Sequence, residues 1–234
     1  MRETTQIRKL SLWIFFFPLI AINLCLFISI NYHLLENTIF YVDQIGRSGF
    51  TIPYLDGSLS ISRASRTFPQ YLIFKPSMII TGILLFFYWN HNNNLICKLK
   101  DTENFKYKFR LFGILSAIFL IIHSIFLGIK FDLQLYKLFR RVILLLFIIF
   151  EIVAQGILVY HLYNIKNKIS KIINKKILII KILLVSTLAV VAIASLPMLI
   201  TKGNTHLKHA LEWNYFVGVI TFYLLTFFFW KRTT

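Results

Sequence analysis

Six long apolar stretches dominate the chain, and polar or basic segments separate them. Each is close to the roughly 20 residues that an α-helix needs to span a bilayer. The stretches are continuous in Leu, Ile and Phe, without the alternation of barrel strands, so helices are predicted. The fold class predicted is therefore all-α, a polytopic membrane protein with six transmembrane helices in a single domain, residues 1–234. The predicted spans are Leu12–Asn31, Tyr71–Trp89, Phe109–Ile129, Val142–Leu162, Ile177–Ile200 and Trp213–Trp230, the last helix beginning near His206.

The first connection, Tyr32–Gln70, is too long to serve only as a link. Connections between helices in compact bundles commonly have about 2 to 8 residues. We therefore expect this long extracytoplasmic loop to fold over the bundle or to form a site. The Asn-rich cluster Asn90–Asn94 predicts a turn that ends the second helix. The basic connection Asn164–Lys176 is either a solvated hinge or a short amphipathic helix on the inner leaflet.

Composition supports a membrane protein and changes the meaning of the charge. Hydrophobic residues make up 57% of the chain, and the mean hydropathy is +0.70. The net charge of +17 would suggest nucleic acid in a soluble protein. Here the basic residues lie between apolar runs, so anionic lipid headgroups are the expected counter-charge. Membrane lipids are the predicted partners, nucleic acid is not, and the sequence identifies no protein partner.

The distribution of Lys and Arg predicts the orientation. The N-terminus, the C-terminus, the second connection and the fourth connection together hold sixteen of these residues, with Lys181 counted in the fourth connection. The first, third and fifth connections together hold nine. The more basic side is expected to be cytoplasmic. Arg140 and Arg141 count against this orientation without reversing it. Both termini are thus predicted in the cytoplasm, in a bacterial inner membrane or in a eukaryotic plasma membrane or endomembrane.

The second half of the long loop carries hydroxyls and fixed cations next to the membrane. Guanidinium groups and hydroxyls both bind phosphate oxygens, so a lipid headgroup is one candidate ligand. A polar loop that touches bulk phospholipid without specificity is the alternative. Lys75, just inside the second helix, either joins this group or extends to the interface. The candidate headgroup-binding residues are Ser60, Ser62, Arg63, Arg66 and Lys75.

The start of the last helix is a second concentration of polar side chains. At 100° per residue, His206, His209, Glu212 and Trp213 share an arc of about 120°. A carboxylate and imidazoles on one face are suited to proton transfer, with His123 of the third helix as the candidate partner. Hydrated interfacial imidazoles are the plainer alternative. We take His123, His209 and Glu212 as catalytic candidates, and we predict no metal and no cofactor.

Glu151 is the acidic residue placed deepest in a predicted span. An ionisable group at that depth is a functional candidate, and Gln155 lies at i+4 on the same helix face. A protonated glutamate that joins helices through hydrogen bonds is the alternative.

One stretch of the chain is similar to a known family. Leu59–His91 resembles the damage-regulated autophagy modulators, and most closely their branch of post-GPI-attachment factors. The Ser60-Ile61-Ser62 segment, then Pro69-Gln70, then the helix end Tyr88-Trp89-Asn90-His91 carry the resemblance, with Leu211-Glu212 in the last helix. Arg63 follows Ser62 where the family has an acidic residue.

The resemblance implies six spans and work on lipids. Members of that branch act in remodelling the lipid portion of glycosylphosphatidylinositol anchors. The leading hypothesis is therefore an integral membrane protein that handles or remodels a lipid at the outer or lumenal leaflet. The alternative is a non-catalytic protein that organises lipids or binds a partner, and a transporter ranks third. The sequence leaves open whether the protein is an enzyme.

Overall fold

A computed structural model describes residues 2–100, 107–129, 134–200 and 203–231. Eight α-helices and two 3-10 turns make up the described secondary structure. The only β-type contact among these residues is an isolated bridge between Ile173 and Trp230. The helices are α1 Arg2–Ile30, α2 Pro53–Asp56, α3 Ile61–Ser65, α4 Gln70–Lys100, α5 Lys108–Phe126, α6 Gln134–Asn164, α7 Lys175–Ile200 and α8 Thr205–Phe229, and the 3-10 turns are Tyr32–Leu35 and Gln44–Gly46.

The six long helices confirm the predicted fold class. Each contains a segment long and apolar enough to cross a membrane, judged by length and composition. The protein is therefore an integral, multi-pass membrane protein. The segments are Arg2–Ile30, Gln70–Lys100, Lys108–Phe126, Leu138–Asn164, Lys175–Ser195 and Thr205–Phe229.

The long helices form a closed ring in chain order. Helix α1 packs on α4, α4 on α5, α5 on α6, α6 on α7 and α7 on α8, and α8 packs back on α1. One end of the ring, which we call the loop face, carries residues 32–69 with the start of α8 and the end of α5. The opposite end, the terminal face, carries the start of α1 and the end of α8. There the His91 imidazole lies 2.6 Å from the Glu3 carboxylate.

The Asn-rich cluster does not end α4, so that prediction was wrong. The helix continues through Asn90–Asn94 to Lys100. Two of these amides instead hold the start of α5: the Asn93 carbonyl accepts from the Tyr107 N–H at 2.9 Å, and the Asn90 carbonyl accepts from the Arg110 guanidinium at 2.7 Å. Asn90 and Asn92 also donate to the helix carbonyls four residues earlier, at 2.7 and 2.8 Å. These bonds and the contacts with α5 are compatible with a continuous helix, so the turn signal is overridden.

The basic connection between α6 and α7 is not an amphipathic helix, and Lys168, Lys171, Lys175 and Lys176 are exposed, as expected of a solvated hinge. Its backbone is turn-rich rather than helical, while Ile165, Ile169 and Ile173 are buried in the core. The Asn174 N–H donates to the Phe229 carbonyl at 2.9 Å, which anchors the connection to the end of α8. The segment therefore belongs to the bundle.

Lys181 also departs from the predicted topology. The count for the fourth connection included it, but it lies in α7 with a fully buried side chain. Its ammonium donates to the Thr226 hydroxyl at 2.7 Å and lies 3.9 Å from the centre of the Phe222 ring. The π face of an aromatic ring attracts a cation, so the ammonium group points inward. Among the other counted residues, Lys106, Lys130, Lys202 and Arg232 lie outside the described residues, as do the side chains of Lys137 and Arg141.

Candidate functional site

A cavity of about 120 Å³ lies inside the ring of helices. Side chains of α1, α3, α4, α5, α6 and α8 line it, and no described residue of α7 does. Most of its wall is aliphatic or aromatic, as at Ile14, Phe74, Met78, Leu120 and Phe216. An apolar cavity of this kind excludes water and accepts apolar ligands.

The polar groups of the cavity lie at two levels. Ser62 and Glu212 contact the cavity near the loop face, together with His123, which is three residues from the end of α5. Glu151 lies deeper, about 25 Å along α6 from its first residue at 1.5 Å per residue. The structure thus brings together Ser62, His123, Glu151 and Glu212, which the sequence placed on four different elements.

Glu212 contacts the backbone of the loop at the cavity wall. Ser60 caps α3, since its hydroxyl accepts from the Arg63 N–H at 3.1 Å. The Glu212 carboxyl group accepts hydrogen bonds from the N–H groups of Ile61 and Ser62, in the first turn of the same short helix. N–H groups in a first helical turn have no partner within the helix. Glu212 therefore joins α8 to α3.

Further hydrogen bonds fasten the loop to the start of α8. The His209 ring nitrogen Nδ1 lies 3.0 Å from the Gly57 carbonyl. The Trp213 indole donates to the Leu59 carbonyl at 2.7 Å, and the Asn214 amide donates to the Tyr54 carbonyl at 2.8 Å. The polar face of α8 is thus directed at the loop. Helix α8 starts at Thr205, with Asn204 at its cap position.

The loop segment that meets α8 is itself held by an acidic turn. Asp56 accepts from the Ser58 N–H at 2.8 Å, from the Ile52 N–H at 2.9 Å and from the Thr51 hydroxyl. These bonds, the one from the Ser58 N–H first, lower the pKa of Asp56 to about 2. The carboxylate therefore remains charged and holds Gly57 in the left-handed turn that faces α8.

Glu151 receives hydrogen bonds from three side chains and is fully buried. The Ser116 hydroxyl donates to Oε2 at 2.5 Å, and the Gln155 amide donates to Oε1 at 3.0 Å. The Tyr223 hydroxyl also donates to Oε1. The carboxyl group thereby connects α5, α6 and α8, and its donors satisfy the requirement that buried polar groups be hydrogen-bonded.

Two of the candidate cations, Lys75 and Arg66, contact the end of α5 or the turn after it. Lys75 donates to the Ile125 carbonyl at 3.2 Å. The Arg66 backbone lies against Gly128, where a Cβ would overlap the Arg66 carbonyl oxygen. Arg63 is exposed and Arg66 is half-buried. None of Ser60, Arg63, Arg66 and Lys75 lines the cavity.

One side chain near this region, that of Arg140, had no assigned role from the sequence. Arg140 of α6 lies next to His123, whose ring contacts the Arg140 backbone. The His123 Nδ1 atom and the Arg140 Nε atom are both buried without a hydrogen-bond partner among the described residues. In the sequence, Arg140 counted only as a positive charge that opposes the predicted orientation. That unexpected position was the one feature of the sequence that could have pointed to a role for Arg140.

The structure therefore divides the predicted site residues into two groups. Ser62, His123, Glu151 and Glu212 contact the cavity; Ser60, Arg63, Arg66, Lys75, Gln155 and His209 do not. Within the described residues, no group of three or more His, Cys, Asp or Glu side chains is arranged to hold a metal ion. Comparison with protein families, with curated proteins and with solved structures finds no match for this chain.

Proposed function

We propose that this membrane protein handles a lipid at its loop face, with a hydrocarbon segment of the lipid in the cavity. The observation that carries the proposal is the cavity itself, an apolar space inside a membrane domain with Ser62, His123 and Glu212 at its loop-face end. Such a division matches an amphipathic ligand, whose chain prefers the apolar wall and whose polar end prefers the loop face.

The size of the cavity limits what part of a lipid it holds. Its volume of about 120 Å³ is close to that of an engineered apolar cavity of about 150 Å³ that binds benzene. It therefore accepts a segment of one acyl chain rather than a whole phospholipid. The rest of the lipid would extend out of the bundle.

The resemblance to the damage-regulated autophagy modulators and to post-GPI-attachment factors supports a role on lipids at the extracytoplasmic leaflet. It rests on Ser60, Ser62, Pro69, Gln70 and the helix end at His91. Two of these positions lie at or next to the cavity: Ser60 caps α3, and Ser62 lines the cavity. We propose membership of this family together with the lipid-handling role.

A non-catalytic role is the second candidate, and the contacts of two catalytic candidates favour it. Glu212 accepts from backbone N–H groups of α3, and His209 contacts the Gly57 carbonyl. These contacts explain both residues by a structural role, in which they hold the loop against α8. His123 alone of the three has a buried ring nitrogen without a described partner, so any proton transfer at the cavity would fall to His123.

Transport is the weakest candidate. Transporters commonly bind substrate where spanning helices are interrupted. Here α1, α4 and α7 continue as helices through Pro18, Pro76 and Pro197.

A photo-crosslinking experiment tests the proposal. The protein would be reconstituted in vesicles with a trace of phosphatidylcholine bearing a diazirine on one acyl chain, and crosslinked peptides would be mapped by mass spectrometry. We expect crosslinks at cavity-lining residues of α4, α5 and α8. Leu120→Trp, at a lining position that is 6% exposed, should lower the yield of these crosslinks at least fivefold.

The control is Ile118→Trp, two residues away on the outer surface of α5 and 44% exposed. It should leave the cavity crosslinks unchanged, and the thermal midpoints of both variants would show that each is folded. Crosslinks confined to outward-facing residues, with Leu120→Trp equal to wild type, would contradict the proposal.

A further inference from the structure

Two arginines lie at the end of α5 on the loop face, and a third, Arg63, lies three residues before one of them in the chain. The Arg66 carbonyl packs against Gly128. The Arg140 guanidinium lies 5.4 Å from the ring centre of Tyr136, whose hydroxyl donates to the Phe126 carbonyl at 2.6 Å. Arg63 and Arg66 come from α3 and its C-cap, and Arg140 comes from the first turns of α6. Burial lowers the pKa of Arg66, and the neighbouring charges of Arg140 and Arg63 lower it further. The three charges are therefore close enough to repel one another.

No described carboxylate neutralises this cluster. The ion pairs of the described chain join Glu36 to Arg47, and Glu3 to His91 and Lys98. Asp56 and Glu212 are hydrogen-bonded to other groups, and no hydrogen bond from a guanidinium group of the cluster to a described residue is present. Like charges held together at a half-buried site are unfavourable unless an anion lies between them.

Arg140 provides an independent sign of a missing partner. Its Nε atom is buried and has no hydrogen-bond acceptor within the described residues. Arg47 Nη2 is in the same position, but the charge of Arg47 is neutralised by Glu36, whereas Arg140 has no described ion pair. A buried N–H without an acceptor is costly, and a charged one more so. Lys75 differs, because its ammonium already donates to the Ile125 carbonyl at 3.2 Å. The unneutralised charge is therefore concentrated on the three arginines.

The position of the cluster connects it to the cavity. His123 lines the cavity and contacts the Arg140 backbone, and Ser62 lines the cavity next to Arg63 in the chain. An anionic group bound by the arginines would thus lie near the cavity's loop-face end. Guanidinium groups bind phosphate oxygens through paired N–H donors.

We infer that Arg63, Arg66 and Arg140 form a binding site for a phosphate-bearing anion, which in an amphipathic ligand is the headgroup of a lipid whose chain enters the cavity. This inference rests on the proposed function only in identifying the ligand as a lipid. The arginine cluster itself accounts equally for free phosphate, and the experiment separates the two sources.

The test measures binding of dioctanoyl phosphatidic acid, dioctanoyl phosphatidylcholine and inorganic phosphate to the full chain in a neutral detergent. The variants are Arg66→Gln and Arg140→Gln, alone and together. The matched control is Arg47→Gln, because Arg47 lies in the same loop but is paired with Glu36 at 3.4 Å and lies 4.6 Å from the Tyr41 ring centre.

We expect the double variant to lose at least tenfold in affinity for dioctanoyl phosphatidic acid, while Arg47→Gln changes it less than twofold. Phosphatidylcholine should bind more weakly to wild type and respond less to the substitutions. Without added anion, Arg140→Gln should not lower the thermal midpoint, since it relieves repulsion. An equal loss in Arg47→Gln would reduce the effect to general surface charge and overturn the inference.

Two other outcomes are also decisive. If inorganic phosphate binds as tightly as phosphatidic acid, and only the arginine variants abolish it, the anion site stands and the acyl-chain function fails. The second outcome concerns Asp132, which lies in the connection between α5 and α6, outside the described residues. If Asp132→Asn alone raises the affinity for phosphatidic acid at least tenfold, then a carboxylate of the chain already neutralises the cluster. That result would overturn the inference.

Discussion

At the residue scale, the deep carboxyl group of Glu151 shows what the sequence reveals about a single position. Its place in an apolar run predicts burial, and Gln155 at i+4 is an evident local neighbour. The donors Ser116 and Tyr223 come from α5 and α8, and no spacing in the chain connects them to α6. The same limit applies to Lys181, whose aromatic surroundings depend on α8.

Substitution of Glu151 tests whether hydrogen bonding or charge is its contribution to stability. Glu151→Leu removes an acceptor of Ser116, Gln155 and Tyr223. Ser116 and Gln155 keep the Gly113 and Val219 carbonyls as acceptors. The Tyr223 hydroxyl is then the buried donor without an acceptor, at a cost of about 1–3 kcal/mol. Glu151→Gln keeps an acceptor for Tyr223, so we expect a loss of about 1 kcal/mol or less. Unfolding of the purified protein in mixed micelles measures both, and equal losses in the two variants would show that the charge itself is required.

At the element scale, the apolar runs locate the centres of the spanning helices well and their ends poorly. Helix α1 begins at Arg2 and α4 ends at Lys100, each about ten residues beyond the apolar run. Those extensions depend on contacts such as Glu3 with His91 and Asn93 with Tyr107. Hydropathy reports the lipid-facing length of a helix, whereas polar contacts between elements decide where it stops.

The junction between the loop and α8 gives a prediction at this scale. Gly57 has φ +60°, and a Cβ there would overlap the backbone carbonyl of His206. Gly57→Ala therefore combines a left-handed backbone cost of about 1 kcal/mol or more with a backbone clash. We expect faster proteolysis between residues 47 and 66 and a lower thermal midpoint.

Gly49→Ala is the matched control in the same loop. A Cβ at Gly49 would meet no atom within 4 Å, so this variant should be cleaved at the wild-type rate. If Gly57→Ala and Gly49→Ala behaved alike, the loop would not be fastened to α8 as the structure shows.

At the scale of the whole molecule, the ring places the long loop on one face and both ends of the described chain on the other. The excess of Lys and Arg on the terminal face predicts that this face is cytoplasmic. Native Cys25 and Cys97 are both buried, so single cysteines introduced at exposed positions are suitable reporters.

Labelling of intact cells tests the orientation. Phe50→Cys, at a loop position that is 86% exposed, should react with a membrane-impermeant maleimide in intact cells. Lys176→Cys, at an exposed position on the terminal face, should react only after permeabilisation. The reverse pattern would place the termini outside and contradict the predicted orientation.

The sequence by itself determined that this protein lies in a lipid bilayer and how many helices span it, because those properties depend on the length and composition of continuous segments. It also indicated which residues are chemically unusual for their surroundings, such as Glu151 and the arginines of the loop. Only the tertiary structure decided which of them meet. The convergence of Ser62, His123, Glu151 and Glu212 on one cavity depends on how the helices close into a ring, and so does the packing of Arg66 against Gly128 after α5. The physical reason is that a long apolar segment partitions into the bilayer because of its composition alone. Buried polar side chains need specific hydrogen-bonding or charged partners, which only the packing of distant segments provides.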